Sequence, residues 1–164
     1  MLEGLYDALL RDPHACVLWR ASAVAGSPHL GAFAAGSVRF RETEAHTRRS
    51  LRKTLFARLA LRVASMPLHV MSRRSFEQAI PQGGIGYVLT LGSASAVVPG
   101  CGAPRGAELL QELEAWFAAQ GAKESWVDTE LSNARAHAFY LRQGYVEVAR
   151  AFSQVLLKKP LRLA

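Results

Sequence analysis

Hydrophobic and polar positions alternate along this chain with two different periods, and each period predicts one kind of element. Apolar residues that recur every three or four positions are typical of amphipathic helices. They predict helices at 2–10, 42–65, 68–79, 107–120 and 133–143. Shorter apolar runs predict strands at 15–20, 30–39, 85–98, 125–130, 145–152 and 154–158. Gly121 and Gly144 directly follow the last two helices, where glycine commonly ends a helix.

The predicted elements follow the order α, β, β, a helical excursion, β, α, β, α, β, β. This order is typical of a mixed sheet flanked by helices, an α/β (α+β) fold. The helix at 107–120 connects two strands, and such a connection predicts that strands 85–98 and 125–130 run parallel. We expect a single domain over residues 1–164, with a basic helical insertion at about 42–79.

Composition narrows the class of protein. Half of the 164 residues are hydrophobic and 20% are charged, which is an ordinary balance for a globular domain with a core. No apolar run reaches the ~18 residues of a membrane-spanning helix, and the acidic N-terminus does not resemble a signal peptide. Cys16 and Cys101 are too few for a disulfide framework or a metal site. We therefore expect a cytoplasmic protein with two free thiols and no metal.

The net charge of +7 is concentrated in an arginine-rich stretch between residues 39 and 74. One interpretation is the solvated face of a helix pair. The other is a lid over an acidic or phosphorylated acceptor, or a docking surface for nucleic acid. Only Phe40 and Phe56, with Phe76 just after the last arginine, accompany the arginines, and no recognised nucleic-acid motif occurs. The solvated face is favoured, and nucleic acid is an unlikely partner.

The loop at 99–106 is a candidate anion site. A glycine-containing loop that opens a helix presents free backbone N–H groups and the positive end of the helix dipole. Both features suit a diphosphate. Pro104 lacks an N–H group, so one donor is missing there, and Arg105 could contact the phosphates directly instead.

Residues 133–145 read N-A-R-A-H-A-F-Y-L-R-Q-G-Y. This segment resembles the pattern N-x-x-A-x-x-F-Y-x-x-x-G-F/Y of the GNAT superfamily, the acyl-CoA-dependent N-acyltransferases. Val97-Val98-Pro99 resembles the lead-in to the family's acyl-CoA loop, Q/R-x-x-G-x-G/A. The loop itself departs from that pattern. Depending on the anchor, the pattern falls on Cys101, Pro104 and Gly106, or on Gly102, Arg105 and Ala107.

The resemblance implies acetyl-CoA as cosubstrate and Tyr140 as the general acid that protonates the departing thiolate. It implies that the cosubstrate is bound by Val97, Val98, Gly102, Arg105, Gly106, Ala107 and Asn133. The residues alone also allow Asn133 to be a helix N-cap and Tyr140 to be a core aromatic. No general base is assigned. Strand 85–98 carries no carboxylate or histidine, and Glu42, Glu44, His46 and His69 are more typical of solvated residues.

Three functions follow as hypotheses. The first is an N-acetyltransferase that moves an acyl group to an amine of a small molecule or peptide by direct attack. The second is a GNAT-like binding or regulatory module without catalysis, which the altered loop favours. The third is a basic nucleic-acid-binding domain. The opening strand of the family pattern is absent, and a homodimer could supply that edge.

Overall fold

A mixed six-stranded sheet forms the centre of the computed structural model. The structure describes residues 7–24, 27–47, 49, 76, 79–93, 106–151 and 153–162. The strands are β1 (Ala15–Val24), β2 (Ser27–Ser37), β3 (Ile85–Ser93), β4 (Glu124–Glu130), β5 (Val146–Ala151) and β6 (Gln154–Pro160). The sheet is accompanied by the helices α1 (Gly106–Ala119) and α2 (Ala134–Arg142). Residues 7–10 and 40–47 are also helical.

The strands lie in the order β1-β2-β3-β4-β6-β5. β3 and β4 are parallel, and the other neighbouring pairs are antiparallel. The predicted α/β class and the parallel pair joined by the helix at 107–120 are thus confirmed. The first hairpin is tighter than predicted, because β1 continues to Val24 and pairs there with Ser27. Most of the predicted insertion at 42–79 lies outside the described residues, although 40–47 are helical.

Each face of the sheet carries its own hydrophobic cluster, because side chains alternate between the faces of a strand. The helix face is covered by α1 and α2, and its cluster includes Ala34, Val88, Leu109, Leu110, Leu113, Phe117, Val127, Tyr140, Tyr145, Val155 and Leu157. The cluster on the opposite face comprises Phe40, Phe76, Ile80, Ile85, Tyr87, Trp126 and Leu156. None of the helices within the described residues is long and apolar enough to cross a membrane.

Two glycines let α1 approach the sheet closely. The Phe117 ring is fully buried, and a Cβ atom at Gly36 or Gly86 would overlap it. We expect Gly86→Ala to lower the free energy of unfolding by about 1–3 kcal/mol, the usual cost of forcing extra volume into a packed core. Denaturant unfolding of the purified variant measures this change.

Gly83→Ala is the matched control for that prediction. Gly83 lies in the segment just before β3, three residues before Gly86, is exposed, and a Cβ atom there would meet nothing within 4 Å. Its variant should unfold at nearly the same denaturant concentration as the unchanged protein. Equal stability of the Gly86 and Gly83 variants would contradict this account of α1 packing.

Candidate active site

The parallel strands β3 and β4 part halfway along their length. Their pairing runs from Ile85 opposite Glu124 to Val88 opposite Val127 and stops there. Both strands continue beyond that point, β3 to Ser93 and β4 to Glu130. The result is an opening between the carboxyl ends of two parallel strands, where open α/β sheets commonly bind their ligands.

A β-bulge lies in β3 at the point of parting. Gly36 of β2 pairs with Val88 and Ala35 pairs with Thr90, so Leu89 is an extra residue. Val88 and Leu91 are three positions apart, so in a regular strand their side chains would lie on opposite faces. Both instead contact the cluster on the helix face, which agrees with an extra residue between them. A bulge leaves backbone polar groups of its extra residue outside the ladder. The bulge at Leu89 thus places unpaired backbone groups beside the opening.

Both helices begin at this same edge of the sheet. α1 ends at the other edge, where the Lys123 N–H donates to the carbonyl of Gly84 at 2.8 Å just before β3 begins. Its first residues, Gly106 and Ala107, therefore lie toward the carboxyl ends of the strands. Their N–H groups precede the first intrahelical bonds and suit an anion. The other predicted loop residues, Val97, Val98, Gly102 and Arg105, lie outside the described residues.

Asn133 caps α2. Its side-chain Oδ1 accepts a hydrogen bond from the Ala136 N–H at 3.1 Å. This is the structural role that the sequence allowed, and such caps stabilise a helix by about 1 kcal/mol. The cap uses the amide oxygen, so the amide N–H₂ group of this exposed residue is left for a ligand.

A Schellman motif ends α2 and sets the position of Tyr145. Gly144 has a φ of +87°, and the Tyr145 N–H donates to the Tyr140 carbonyl at 3.1 Å. The two tyrosine rings meet edge to face, with centroids 5.4 Å apart. The Tyr145 hydroxyl and Ser125 Oγ are 2.6 Å apart in a buried hydrogen bond. Tyr145 is thus held from both ends and supports the Tyr140 ring.

The hydrogen bond between Tyr145 and Ser125 yields a stability prediction. Tyr145→Phe should lower the free energy of unfolding by about 1–3 kcal/mol, because it leaves a buried hydroxyl without a partner. The double variant Tyr145→Phe/Ser125→Ala should recover most of that loss, since neither polar group then remains. Thermal unfolding of the three proteins measures both effects. A double variant less stable than Tyr145→Phe alone would contradict the assignment.

Tyr140 projects from α2 into the helix-face cluster and is only 6% exposed. Burial, and then the charge of Asp128, raise the pKa of its phenol well above the usual value. Among the described residues, its hydroxyl has no hydrogen-bond partner, whereas the hydroxyls of Tyr87 and Tyr145 are both engaged. Tyr140 therefore keeps its proton and has it available for a ligand.

Asp128 is the carboxylate that the sequence analysis missed. It lies in β4 immediately after Val127, the last residue paired with β3. Its Oδ1 accepts a hydrogen bond from the Tyr87 hydroxyl at 2.6 Å. Its charge also contributes to the raised pKa of Tyr140, which lies on α2, the helix that follows β4. Asp128 is the middle one of three acids in β4, and its position directly after the apolar pair Trp126-Val127 is the signal that could have identified it.

The carboxylates considered from the sequence lie elsewhere. Glu42 forms an ion pair with Arg39 at 3.2 Å. Both residues line an open cavity of about 420 Å³ at the amino end of β3, together with Gly84 and Ala122. This cavity is at the opposite edge of the sheet from the parted strands. His69, a further candidate, lies outside the described residues.

Known proteins resemble this chain in one segment of sequence and in fold. A model of the acetyltransferase (GNAT) family matches residues 105–145, about a quarter of the chain. Among curated proteins, none matches the chain. Solved structures match it over most of its length.

One similar structure is that of SsHAT, at 15% identity and a TM-score of 0.60, covering 84% of this chain and 69% of that one. A second is NAA60 of Arabidopsis thaliana in complex with acetyl-CoA, at 12% identity and a TM-score of 0.57, covering 95% and 81%. A third is the ribosomal-protein-S18-alanine N-acetyltransferase of Escherichia coli, at 13% identity and a TM-score of 0.54, covering 100% and 79%. At these identities the likeness concerns the fold.

Proposed function

We propose that this chain belongs to the GNAT superfamily and is an N-acyltransferase. It would move an acyl group from acetyl-CoA or a related acyl-CoA to an amine. The observation that carries the proposal is the opening where β3 and β4 part, with Asp128 beside it on β4 and the buried Tyr140 phenol on α2, the helix that follows β4. Asp128 can accept a proton, and Tyr140 retains a proton that it can donate. Acyl transfer from a thioester to an amine requires both steps. The coenzyme-bound NAA60 structure, which shares the fold, supports the choice of cosubstrate.

The residues present fit an acyl-CoA at the opening. The start of α1 at Gly106 and Ala107 offers N–H groups to the diphosphate, as helix N-termini do. The N–H₂ group of Asn133 lies at the start of α2 and can donate to a carbonyl of the pantetheine arm. The acyl-CoA supplies the activated acyl thioester. Its reacting carbonyl would lie beside the bulge at Leu89, whose unpaired backbone N–H can polarise it.

Asp128 and Tyr140 would then move the two protons of the reaction. Asp128 accepts a proton from the acceptor ammonium, directly or through water, which frees the nitrogen lone pair to attack the thioester carbonyl. The new bond joins nitrogen to the carbonyl carbon, and the bond from that carbon to sulfur breaks. Tyr140 donates its phenolic proton to the departing sulfur and regains one, through solvent, from the new amide nitrogen, which still carries an extra proton after the attack, while Asp128 releases its proton to solvent. Tyr87 holds the Asp128 carboxylate through its hydrogen bond at 2.6 Å.

Titration with acetyl-CoA in a calorimeter tests the first half of this proposal. We expect saturable binding of one acetyl-CoA per chain, with weaker binding of a CoA fragment that lacks the diphosphate. Gly106→Pro, which removes one N–H donor at the start of α1, should weaken binding of acetyl-CoA more than binding of the fragment. Absence of any binding would contradict the proposed cosubstrate.

A further inference from the structure

The face of the sheet opposite α1 carries a group of hydrogen-bond acceptors beside the opening. Asp128 pairs across the sheet with Leu156, and Glu130 pairs with Gln154, in an antiparallel ladder without a register shift. Cross-strand partners share a face, and so do residues two apart on a strand. Since Leu156 packs in the cluster on that face, Asp128, Glu130 and Gln154 all lie on it.

Gln154 carries an unsatisfied polar atom. Its Oε1 is buried and has no hydrogen-bond partner among the described residues, and the same holds for Oγ of the adjacent Ser153. A buried acceptor without a partner costs about 1–3 kcal/mol. Gln154 lies on the diagonal from Asp128, at a typical Cα separation of ~7–8 Å. Gln154 is thus within the length of a small molecule whose amine reaches Asp128, and its Oε1 lacks a hydrogen-bond donor that such a molecule could supply.

The described charges of β4, β5 and β6 beside the opening favour a cationic ligand. Asp128 and Glu130 are both carboxylates, and both would repel an anionic acceptor. On the same face of β6, Lys158 forms an ion pair with Glu124 at 2.9 Å toward the other end of β4. Arg150 pairs with Val155, a residue of the helix-face cluster, and therefore lies on the opposite face. The acceptors here are complementary to a cation that carries hydrogen-bond donors.

We propose that the acceptor is a primary amine without an anionic group that carries an amide N–H several bonds from its nitrogen, and that Gln154 Oε1 accepts from this N–H. This inference rests on the proposed acyltransferase function and narrows its substrate class. Gln154 is then a specificity-determining residue. It contributes to the binding of the acceptor and takes no part in proton transfer.

Matched amines test the proposal. The panel consists of ω-amino acids of increasing chain length, each as N-methylamide, methyl ester and free acid. The amide and the ester have nearly the same shape, but only the amide has the N–H donor, and only the free acid is anionic. We expect kcat/KM for the best amide to exceed that of its ester about tenfold, equivalent to ~1.4 kcal/mol of one hydrogen bond. The free acid should be the slowest of the three.

Gln154→Leu identifies the residue responsible. It should remove the preference for amide over ester, mainly through KM, and leave the rate with the ester and the affinity for acetyl-CoA unchanged. Gln82→Leu is the control, since Gln82 is an exposed glutamine at the opposite edge of the sheet and its variant should keep the preference. Thermal unfolding confirms that both variants are folded.

The outcomes separate this inference from the proposed function. Equal rates for amide and ester in the unchanged protein, or a preference that survives Gln154→Leu, would overturn the inference while the acyltransferase function stands. Faster turnover of the free acids would overturn it too. Binding of acetyl-CoA without turnover of any amine would overturn the function and the inference together.

Discussion

Tyr140→Phe is expected to lower kcat by about 10²–10⁴-fold, the range in which a positioned general acid contributes, and to leave acetyl-CoA affinity unchanged. The variant removes one oxygen from a side chain that is only 6% exposed and whose ring packing is kept. Among the described residues that oxygen has no hydrogen-bond partner, so its loss leaves no protein group unsatisfied. The whole effect should therefore appear in turnover, as measured by steady-state release of CoA.

Tyr145→Phe is the matched control, assayed well below its unfolding temperature. It removes the same atom from a neighbouring ring whose hydroxyl is bound to Ser125. Its kcat should stay within a few-fold of the unchanged protein, although its stability falls. A Tyr140→Phe protein that keeps full turnover would remove Tyr140 from the mechanism.

The raised pKa of Tyr140 also predicts the form of the pH profile. Burial and Asp128 favour the neutral phenol, so the proton is retained above the usual tyrosine pKa of ~10. The donor form should be lost only above that pH. The kcat of the unchanged protein should therefore show no decline between about pH 8 and 10, within the range where the protein stays folded.

Asp128→Asn is the second large effect, with an expected fall in kcat/KM of about 10²–10³-fold at neutral pH. Asparagine keeps the size of the side chain and can still accept from the Tyr87 hydroxyl, but it cannot take a proton from the acceptor ammonium. The deficit should shrink as pH rises toward the pKa of the amine, because solvent then supplies more of the neutral nucleophile. This dependence on pH distinguishes a lost base from a damaged fold.

Two further variants complete that experiment. Tyr87→Phe keeps the carboxylate but frees it from its hydrogen bond at 2.6 Å, so its loss of kcat/KM should be smaller than that of Asp128→Asn. Glu112→Gln removes an exposed carboxylate of α1 that pairs with Arg20, far from the opening, and should leave kcat/KM unchanged. A deficit for Asp128→Asn that is the same at every pH would contradict the role of the base.

The order of elements and the parallel strand pair could be predicted from the sequence, because they depend on local periodicity and on the length of the connection. The helix ends were also predictable. Gly121 and Gly144 both adopt positive φ, a conformation that side-chain-bearing residues rarely adopt. The bulge at Leu89 could not be predicted, because it lies within an apolar run that reads the same with or without an extra residue.

Asp128 was missed for a related reason. The sequence analysis looked for a base on the strand that became β3, and its neighbour β4 carried the carboxylate instead. Which residues of two strands become neighbours depends on register, and register is a tertiary property. The sequence allowed two roles each for Asn133 and Tyr140. The structure shows the cap at Asn133. The Tyr140 hydroxyl, which has no partner among the described residues, supports the proposed catalytic role.

The most direct test of the central claim is a transfer assay with isotope-labelled acetyl-CoA and the panel of ω-amino N-methylamides, read by mass spectrometry. We predict that the labelled acetyl group appears on the amine nitrogen of at least one acceptor, with one free CoA released per product and no transfer by the Asp128→Asn/Tyr140→Phe double variant. Saturable binding of acetyl-CoA without a labelled product on any amine, or an equal yield from the double variant, would contradict the account.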